Sequence, residues 1–273
     1  MSGWLEDDAP AKVNLALVVG PLRPDGKHEV VTVMERLALA DTVAVRRAGA
    51  MRVTGFSDDT LVAAALDVVT RAAGRAAPAL EARIVKRIPV AAGLGGGSSD
   101  AATALRLANE LLDEPLGEDI LDRLAGSVGA DVPFFLHSGP QLATGDGTTL
   151  EPVRAPRDYS VVLALPHGVV KTSTADVYAA FDARRGAAGF EGRRAALVGV
   201  LETIDDPEGL ALLPGNDLAS SPLAADLRTR GAFRADVSGA GPVVYGLFAD
   251  MCEAERAAAA VAASATTWVT RPA

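Results

Sequence analysis

The stretch PVAAGLGGGSSDAATALRLANELL, residues 89–112, places four glycines and two serines directly before an apolar run with helical spacing. A helix N-terminus leaves several backbone N–H groups without partners and carries about half a positive charge. Neighbouring glycines let an anion approach those N–H groups and permit positive φ angles. Ser98 and Ser99 add hydroxyls that can bind a phosphate group or a magnesium ion. The stretch therefore fits a phosphate loop, although a glycine-rich connector with Ser98 as an ordinary N-cap fits the same residues.

Two widespread nucleotide-binding motifs do not match this stretch. The motif G-x-x-x-x-G-K-[ST] requires a lysine, and none occurs between residues 89 and 99. The motif G-x-G-x-x-G requires a third glycine at the position that Ser98 occupies. A phosphate loop at this place therefore belongs to another class.

Composition and charge limit the possible partners. Of the 273 residues, 49% are hydrophobic, which is enough for one large core or two medium ones. The net charge of −9 opposes non-specific binding to nucleic acid or to anionic membranes. A single cysteine, Cys252, cannot form an internal disulfide, and the N-terminal residues contain no apolar signal core. We expect a cytoplasmic protein with neither nucleic-acid nor membrane partners.

Residue periodicity predicts two α+β halves that meet near RAPRD, residues 154–158. The first half has two long strands that form a hairpin, then a helix, a strand, two helices and short strands. The second half follows the order strand, helices, strand, strand, helix, strand, which is typical of a ferredoxin-like fold. The predicted elements of the first half are strands 12–20, 29–45 and 80–88, helices 58–74, 98–112 and 117–126, and short strands within 130–153. Those of the second half are strands 159–166, 232–239, 242–250 and 266–270 and helix 252–264, with several helices before Arg230.

Several motifs together resemble the GHMP kinases. PVAAGLGGGSSDAA (89–102) resembles their phosphate loop, APAKVNLAL (9–17) their N-terminal motif, and VSGAGPVVYGLF (237–248) their C-terminal glycine loop. GADVPFFL (129–136) and ATGDGTTLEPV (143–153) also resemble, within that superfamily, the family that phosphorylates the 2-hydroxyl of 4-diphosphocytidyl-2-C-methyl-D-erythritol in the non-mevalonate isoprenoid pathway. The resemblance covers nearly the whole chain.

The resemblance implies a two-domain α+β GHMP kinase fold. Residues 1–154 would form an ATP-binding half similar to the ribosomal S5 domain 2-like fold, and residues 155–273 a ferredoxin-like half. ATP, with Mg²⁺, and a cytidyl diphosphate sugar-alcohol would be the ligands of a monomer or homodimer. Two alternatives remain open: a GHMP kinase for another small alcohol, such as mevalonate or homoserine, and a catalytically silent nucleotide-binding regulator.

The resemblance also implies roles for two ionisable residues. Asp131 in GADVP would be the base that takes the proton of the substrate hydroxyl, and Lys12 in PAKVN would lie beside it. Phosphoryl transfer depends mainly on positioning and charge stabilisation, so one carboxylate, one cation and a loop of donors can suffice. A turn residue and a surface lysine on a strand edge are the plainer interpretations. An apolar strand is a costly place for a lysine, however, which favours a partner for Lys12.

The remaining ligand contacts are implied by the same motifs, and each has a local alternative such as a hairpin turn, an N-cap or a core aromatic. The family usually has DGYH where this chain has DGKH, so Lys27 replaces an aromatic residue that stacks on cytosine. Asp100 follows the loop directly and is a candidate support for it, but an acid in the first turn of a helix is also routine, and we favour this plainer interpretation. No metal site formed by protein side chains is expected, because the three histidines show no ligand spacing. The implied phosphate loop is Pro89, Val90, Ala91, Ala92, Gly93, Leu94, Gly95, Gly96, Gly97, Ser98 and Ser99, and the implied substrate side is Lys27, His28, Thr174, Tyr178 and Gly239.

Overall fold

The computed structural model describes residues 3–74, 77–169 and 173–273. Contacts divide the chain into two compact units that alternate along the sequence. Two long strands, β1 (Leu5–Leu22) and β2 (His28–Ala48), pair with each other and contribute residues to both units. Their pairing confirms the predicted hairpin. The first unit comprises Met1–Ala11, Leu39–Val90 and Gly95–Ser138, and the second comprises Lys12–Ala38, Ala91–Leu94 and Gly139–Ala273.

In the first unit, helices contact strands that belong to a six-stranded sheet. The end of β2 pairs antiparallel with β4, and β3 pairs parallel with β4. Helices α1, α2 and α3 contact one another, and α1 and α2 also contact β4. The further elements of this unit are β3 (Arg52–Thr54), α1 (Leu61–Ala73), β4 (Ala79–Val85), α2 (Gly96–Glu110), α3 (Glu118–Val128) and a 3-10 helix (Pro133–Leu136).

Local signals explain the limits of α1, which the sequence predicts at 58–74. The carboxylate of Asp59 accepts hydrogen bonds from the backbone N–H groups of Val62 (3.0 Å) and Ala63 (3.1 Å), two donors that a helix start leaves without partners. The helix ends at Gly74, whose φ of 82° suits glycine. Its core-facing residues follow helical spacing and are buried: Val62, Ala65, Leu66 and Val69.

The second unit contains a four-stranded antiparallel sheet in the order β10–β7–β9–β8. Together with the chain order of its strands and helices, this is the ferredoxin-like arrangement that the sequence predicts. Helix α7 contacts β7, β9 and β10, and α6 contacts β8 and β9. The elements of this unit after β2 are β5 (Gln141–Gly145), β6 (Thr149–Pro152), β7 (Ser160–Pro166), α4 (Thr174–Ala183), α5 (Phe190–Thr203), a 3-10 helix (Pro207–Leu212), α6 (Pro222–Thr229), β8 (Arg234–Val237), β9 (Val244–Phe248), α7 (Met251–Val261) and β10 (Ala265–Thr270).

The later part of β1 is bonded to the C-terminal residues of the second unit. The buried hydroxyl of Tyr245 donates to the backbone oxygen of Leu15 at 3.0 Å, and Leu17 forms a parallel bridge with Asn216. Residues 154 and 155 both lie inside the second unit, which contains all of Gly139–Ala273. The domain limits 1–154 and 155–273 stay a prediction, distinct from this division by contacts.

Within residues 3–74, 77–169 and 173–273, no helix has both the length and the apolar character that a membrane crossing requires.

Candidate active site

The glycine-rich loop ends where α2 begins. The N-cap of α2 is Gly95, with φ 69° and ψ 13°, and the first helical residue is Gly96. This left-handed conformation suits glycine because no Cβ meets the carbonyl oxygen. The interpretation of Ser98 as N-cap is therefore wrong: Ser98 lies within the first turn, two residues beyond the helix start.

Positive φ angles recur at alternate residues of this loop. They are 58° at Ala91, 84° at Gly93 and 69° at Gly95. Left-handed residues of this kind help successive backbone N–H groups to line a concave surface, an arrangement that binds anions. Ala91 adopts this conformation despite its Cβ, at a cost of about 1–2 kcal/mol. The loop backbone therefore has the shape expected for phosphate binding.

The carbonyl oxygens of residues 92–94 accept hydrogen bonds from other segments of the second unit. Their donors are the backbone N–H of Val243 (3.2 Å), the hydroxyl of Ser238 (2.9 Å) and the backbone N–H of Lys12 (2.9 Å), respectively. In a planar trans peptide the next residue's N–H points opposite to the carbonyl oxygen. The N–H groups of residues 93–95 therefore point away from the groups that hold the loop.

Gly93 lies against the second glycine loop, residues 238–241. A Cβ on Gly93 would lie 2.4 Å from the backbone oxygen of Ser238. Asn216 supports the second loop, since its Nδ2 donates to the backbone oxygens of Gly239 (2.7 Å) and Val237 (2.9 Å). In the sequence, Asn216 lies in the motif GNDL, which also fits a local turn. The side chain both supports the second loop and closes this turn, because its Oδ1 accepts from the N–H of Leu218 at 2.7 Å.

Lys12 is buried beside the second glycine loop. Only 4% of the residue is exposed, and its Nζ donates to Oδ1 of Asn14 at 2.7 Å. Asn14 in turn donates to the hydroxyl of Thr32 at 2.8 Å. A Cβ on Gly239 would lie 3.9 Å from Lys12 Nζ and 3.4 Å from Asn14 Oδ1. The expectation that Lys12 has a polar partner is thus confirmed, and the interpretation of Lys12 as an exposed lysine on a strand edge is wrong. Asn14 was not predicted as a site residue.

Asp131 lies half-buried in the turn between α3 and the 3-10 helix at 133–136. The N–H of Val132 donates to the backbone oxygen of Gly129 at 3.1 Å, which closes the turn. Pro133 and Phe134 are buried, and their helix contacts α2 and α3. These contacts fix the position of Asp131 in the first unit. Lys12 belongs to the second unit, and the pairing of the two residues stays a prediction.

The predicted phosphate loop differs in exposure along its length. Val90, Ala91 and Gly97 are exposed, whereas Ala92, Leu94 and Ser99 are buried. The hydroxyl of Ser99 has no hydrogen-bond partner within the described part of the chain. Buried hydroxyls without a partner are rare, and an oxygen of a bound phosphate is one group that could supply it. The other loop residues, Pro89, Gly93, Gly95, Gly96 and Ser98, are half-buried.

Two of the predicted substrate residues meet in the second unit. The imidazole of His28 stacks on Tyr178 with ring centroids 5.0 Å apart and an interplanar angle of 23°. Its Nδ1 lies 2.8 Å from the backbone oxygen of Gly20, and its Nε2 lies 3.3 Å from Oδ2 of Asp182. His28 is buried, while Tyr178 keeps part of its surface exposed. Asp182 was missed by sequence reasoning, although it lies one helical turn after Tyr178.

Lys27 and Thr174 differ from this pair. Lys27 Nζ donates to Oδ2 of Asp146 at 2.6 Å, and 59% of the lysine side chain is exposed. This contact lowers the pKa of Asp146 to about 2, chiefly through the hydrogen bond from Lys27 and then through one from Thr148. Thr174 is exposed at the first position of α4, after Ser173, whose side chain caps the helix.

Within 3–74, 77–169 and 173–273, no group of three or more His, Cys, Asp and Glu side chains has the arrangement needed to hold a metal ion. The donors at the glycine loops are backbone N–H groups and hydroxyls, which suit phosphate oxygens.

Known proteins are similar to this chain over most of its length. Residues 60–139 match the family of the GHMP kinases N terminal domain. A 4-diphosphocytidyl-2-C-methyl-D-erythritol kinase from Nocardia farcinica is 42% identical over 274 residues, which cover 93% of this chain and 87% of that protein. The chain belongs to the 4-diphosphocytidyl-2-C-methyl-D-erythritol kinase family.

Solved structures agree with membership of the 4-diphosphocytidyl-2-C-methyl-D-erythritol kinase family. A 4-(cytidine 5'-diphospho)-2C-methyl-D-erythritol kinase superposes with a TM-score of 0.79 at 30% identity, covering 98% of this chain and all of the other. A homoserine kinase from Cytophaga hutchinsonii superposes with a TM-score of 0.75 at 18% identity, covering 100% and 95% of the two chains, which shows a shared fold. The predicted α+β GHMP kinase fold is confirmed.

Proposed function

We propose that this protein uses ATP to phosphorylate the 2-hydroxyl of 4-diphosphocytidyl-2-C-methyl-D-erythritol. The observation that carries the proposal is the glycine loop before α2. The carbonyl oxygens of residues 92–94 accept hydrogen bonds from other parts of the protein, and the N–H groups of residues 93–95 point the other way, next to the start of α2. The identity of the acceptor is inferred from the family to which the chain belongs.

In the proposed reaction, the 2-hydroxyl oxygen attacks the γ-phosphorus of ATP, and the bond to the oxygen of the departing ADP breaks. Asp131 takes the hydroxyl proton, and Lys12 stabilises the negative charge near the transferred group. The N–H groups of residues 93–95 and the hydroxyls of Ser98 and Ser99 bind the ATP phosphates. Magnesium bound with ATP would supply further charge neutralisation at the phosphates.

The cytidyl end of the acceptor is assigned to the His28–Tyr178 stack. The partly exposed ring of Tyr178 provides an aromatic face, and a histidine beside it provides ring nitrogens for hydrogen bonding. Lys27 is assigned to the rim of this region through its ion pair with Asp146. We further propose that the protein works in the cytoplasm as a monomer or homodimer, without a nucleic-acid or membrane partner.

The acceptor is tested by measuring ATP consumption with the cytidyl substrate, mevalonate and homoserine in parallel. We expect turnover with the cytidyl substrate and at least about a hundredfold lower kcat/KM with the other two, because unpaired polar groups in a site disfavour the wrong ligand strongly. Turnover with mevalonate or homoserine alone would replace the acceptor and keep the kinase. Nucleotide binding without turnover of any alcohol would indicate a regulator.

Replacing Lys27 tests the base assignment. Lys27→Tyr should lower KM for the cytidyl substrate about five- to 150-fold, because base–aromatic stacking contributes about 1–3 kcal/mol. KM for ATP should not change, since the phosphates are assigned to residues 89–99. Lys27→Ala is the control that removes the ion pair with Asp146 without adding a ring, and an exposed pair of this kind contributes little. Equal cytidyl KM values in both variants and the wild type would remove residues 25–28 from the base site.

A further inference from the structure

Three ionisable side chains meet in the interior of the first unit. Lys86 Nζ donates to Oδ2 of Asp100 at 2.7 Å and also to Oδ2 of Asp41. Asp41 is 0% exposed, Asp100 is 1% exposed, and the lysine side chain is 16% exposed. We call these residues the carboxylate–lysine cluster. The sequence left two interpretations of Asp100, a support for the loop and a routine first-turn acid. The second, which we favoured, is wrong, because the carboxylate is buried and paired with Lys86.

The carboxylate–lysine cluster joins the two ends of the phosphate loop. Lys86 follows β4 directly, and the other oxygen of Asp41 accepts hydrogen bonds from the backbone N–H groups of Arg87 and Ile88 (2.8 Å for Ile88). These contacts fix the chain where it enters the loop. Asp100 lies in α2, directly after the loop. One ammonium group therefore connects the entrance of residues 89–99 to their exit.

Close packing reinforces this connection at the helix start. A Cβ on Gly96 would lie 3.1 Å from Cγ2 of Ile88 and 3.4 Å from Oδ2 of Asp41. The first residue of α2 thus rests against the cluster and against the chain that enters the loop. A change in the separation of Asp41 and Asp100 must move the helix start, whose N–H groups are assigned to phosphate.

Burial of the charges in the cluster disfavours folding, because the charged groups lose their hydration. Burial raises the pKa of Asp100 to about 7, although the hydrogen bond from Lys86 opposes this rise. For Lys86, burial lowers the pKa, but the two carboxylates outweigh it and leave the pKa raised. Apolar side chains of similar volume often stabilise an interior as well as or better than a buried ion pair. The oxygen Oδ1 of Asp100 also has no partner within the described residues.

We propose that the carboxylate–lysine cluster is a positioning device that holds the phosphate loop in its ATP-binding shape. This inference rests on the proposed kinase function. Asp41 and Asp100 act through Lys86 and through the backbone of residues 87–88 and 96. In this role they do not contact the reacting atoms.

The test compares Asp100→Ala with Asp100→Asn, which keeps an oxygen that can accept from Lys86. Asp100→Ala should raise KM for ATP about tenfold or more, because it leaves a buried charge without one of its partners. KM for the cytidyl substrate should change by less than about twofold, since the altered binding is confined to the nucleotide. Asp100→Asn should restore most of the ATP affinity. Glu110→Gln is the control: it removes an exposed ion pair with Arg106 from the same helix.

A second readout does not depend on turnover. Amide hydrogen exchange in residues 89–99 of the ligand-free protein should be about tenfold faster in Asp100→Ala than in Glu110→Gln, with α3 unchanged. If Asp100→Ala does not fold, the same two measurements are made on Asp41→Asn. Asp41 accepts from Lys86 on one oxygen and from the backbone on the other, and an amide keeps only one acceptor oxygen. Unchanged loop exchange, or faster exchange with unchanged ATP KM, would overturn the proposal. Absence of kinase activity in the wild type would instead refute the proposed function, and exchange would still decide whether the cluster holds the loop.

Discussion

Asp131→Asn should lower kcat by about a hundredfold or more, the usual scale for loss of a general base. The amide has nearly the same shape as the carboxylate but cannot take the proton of the substrate hydroxyl. KM for ATP and for the cytidyl substrate should change little, because Asp131 is assigned to the transition state rather than to binding. Steady-state kinetics at saturating ATP measure both quantities.

The matched control for this experiment is Asp119→Asn. Asp119 lies in the first turn of α3, the helix that precedes Asp131, and it is exposed. Its replacement removes a carboxylate from the same part of the first unit without touching the turn after the helix. Turnover of Asp131→Asn close to that of Asp119→Asn would mean that another group accepts the proton.

Gly93→Ala should lower kcat/KM for ATP by about a hundredfold or more, similar to the loss of an essential backbone donor. Its Cβ would lie 2.4 Å from the backbone oxygen of Ser238 and 3.1 Å from that of Gly241. Real Cβ atoms do not approach backbone oxygens this closely, so the loop must move away from the residues that bind its carbonyl groups. The N–H groups of residues 93–95 then lose their common direction. Calorimetric titration with a non-hydrolysable ATP analogue measures the loss directly.

Gly139→Ala separates this collision from simple backbone strain. Gly139 also has a positive φ, 70°, but a Cβ there would meet nothing within 4 Å. Both variants therefore carry a left-handed alanine, which costs about 1–2 kcal/mol, and only Gly93→Ala displaces the loop. We expect similar losses of melting temperature from this strain, and loss of ATP affinity in Gly93→Ala alone. Equal ATP affinity in the two variants would contradict the role of the loop.

Elements with strong local signals could be predicted from the sequence. The alternating apolar residues of 12–20 and 29–45, with a turn between them, correspond to the paired strands β1 and β2. The two strands that the sequence predicts on either side of a turn at Gly239–Pro242 correspond to β8 and β9. Helix α2 starts two residues before the predicted position, because glycines hide the boundary: they have no side chain to indicate helical spacing, and Gly95 serves as N-cap through its left-handed backbone.

Some features of the candidate site could be predicted and others could not. The apolar strand around Lys12 predicted a partner for its ammonium group, and Asn14 is that partner. The resemblance to the GHMP kinases implied that His28 and Tyr178 contact the same substrate, but their direct stacking depends on how α4 packs. The contact of Lys27 with Asp146 joins residues 119 positions apart, and neither residue alone indicates the other.

The sequence by itself determined the family, the glycine-rich loop before a helix and the order of strands and helices, because each depends on residues that are close together in the chain. Only the tertiary structure decided which distant charged groups form ion pairs. Asp41 and Lys86 are 45 positions apart, and the antiparallel register of β2 and β4 brings them to the same end of the sheet, next to the start of α2. A buried carboxylate is tolerated only where packing delivers a partner, and the register that delivers it arises from long-range strand pairing that no local pattern specifies.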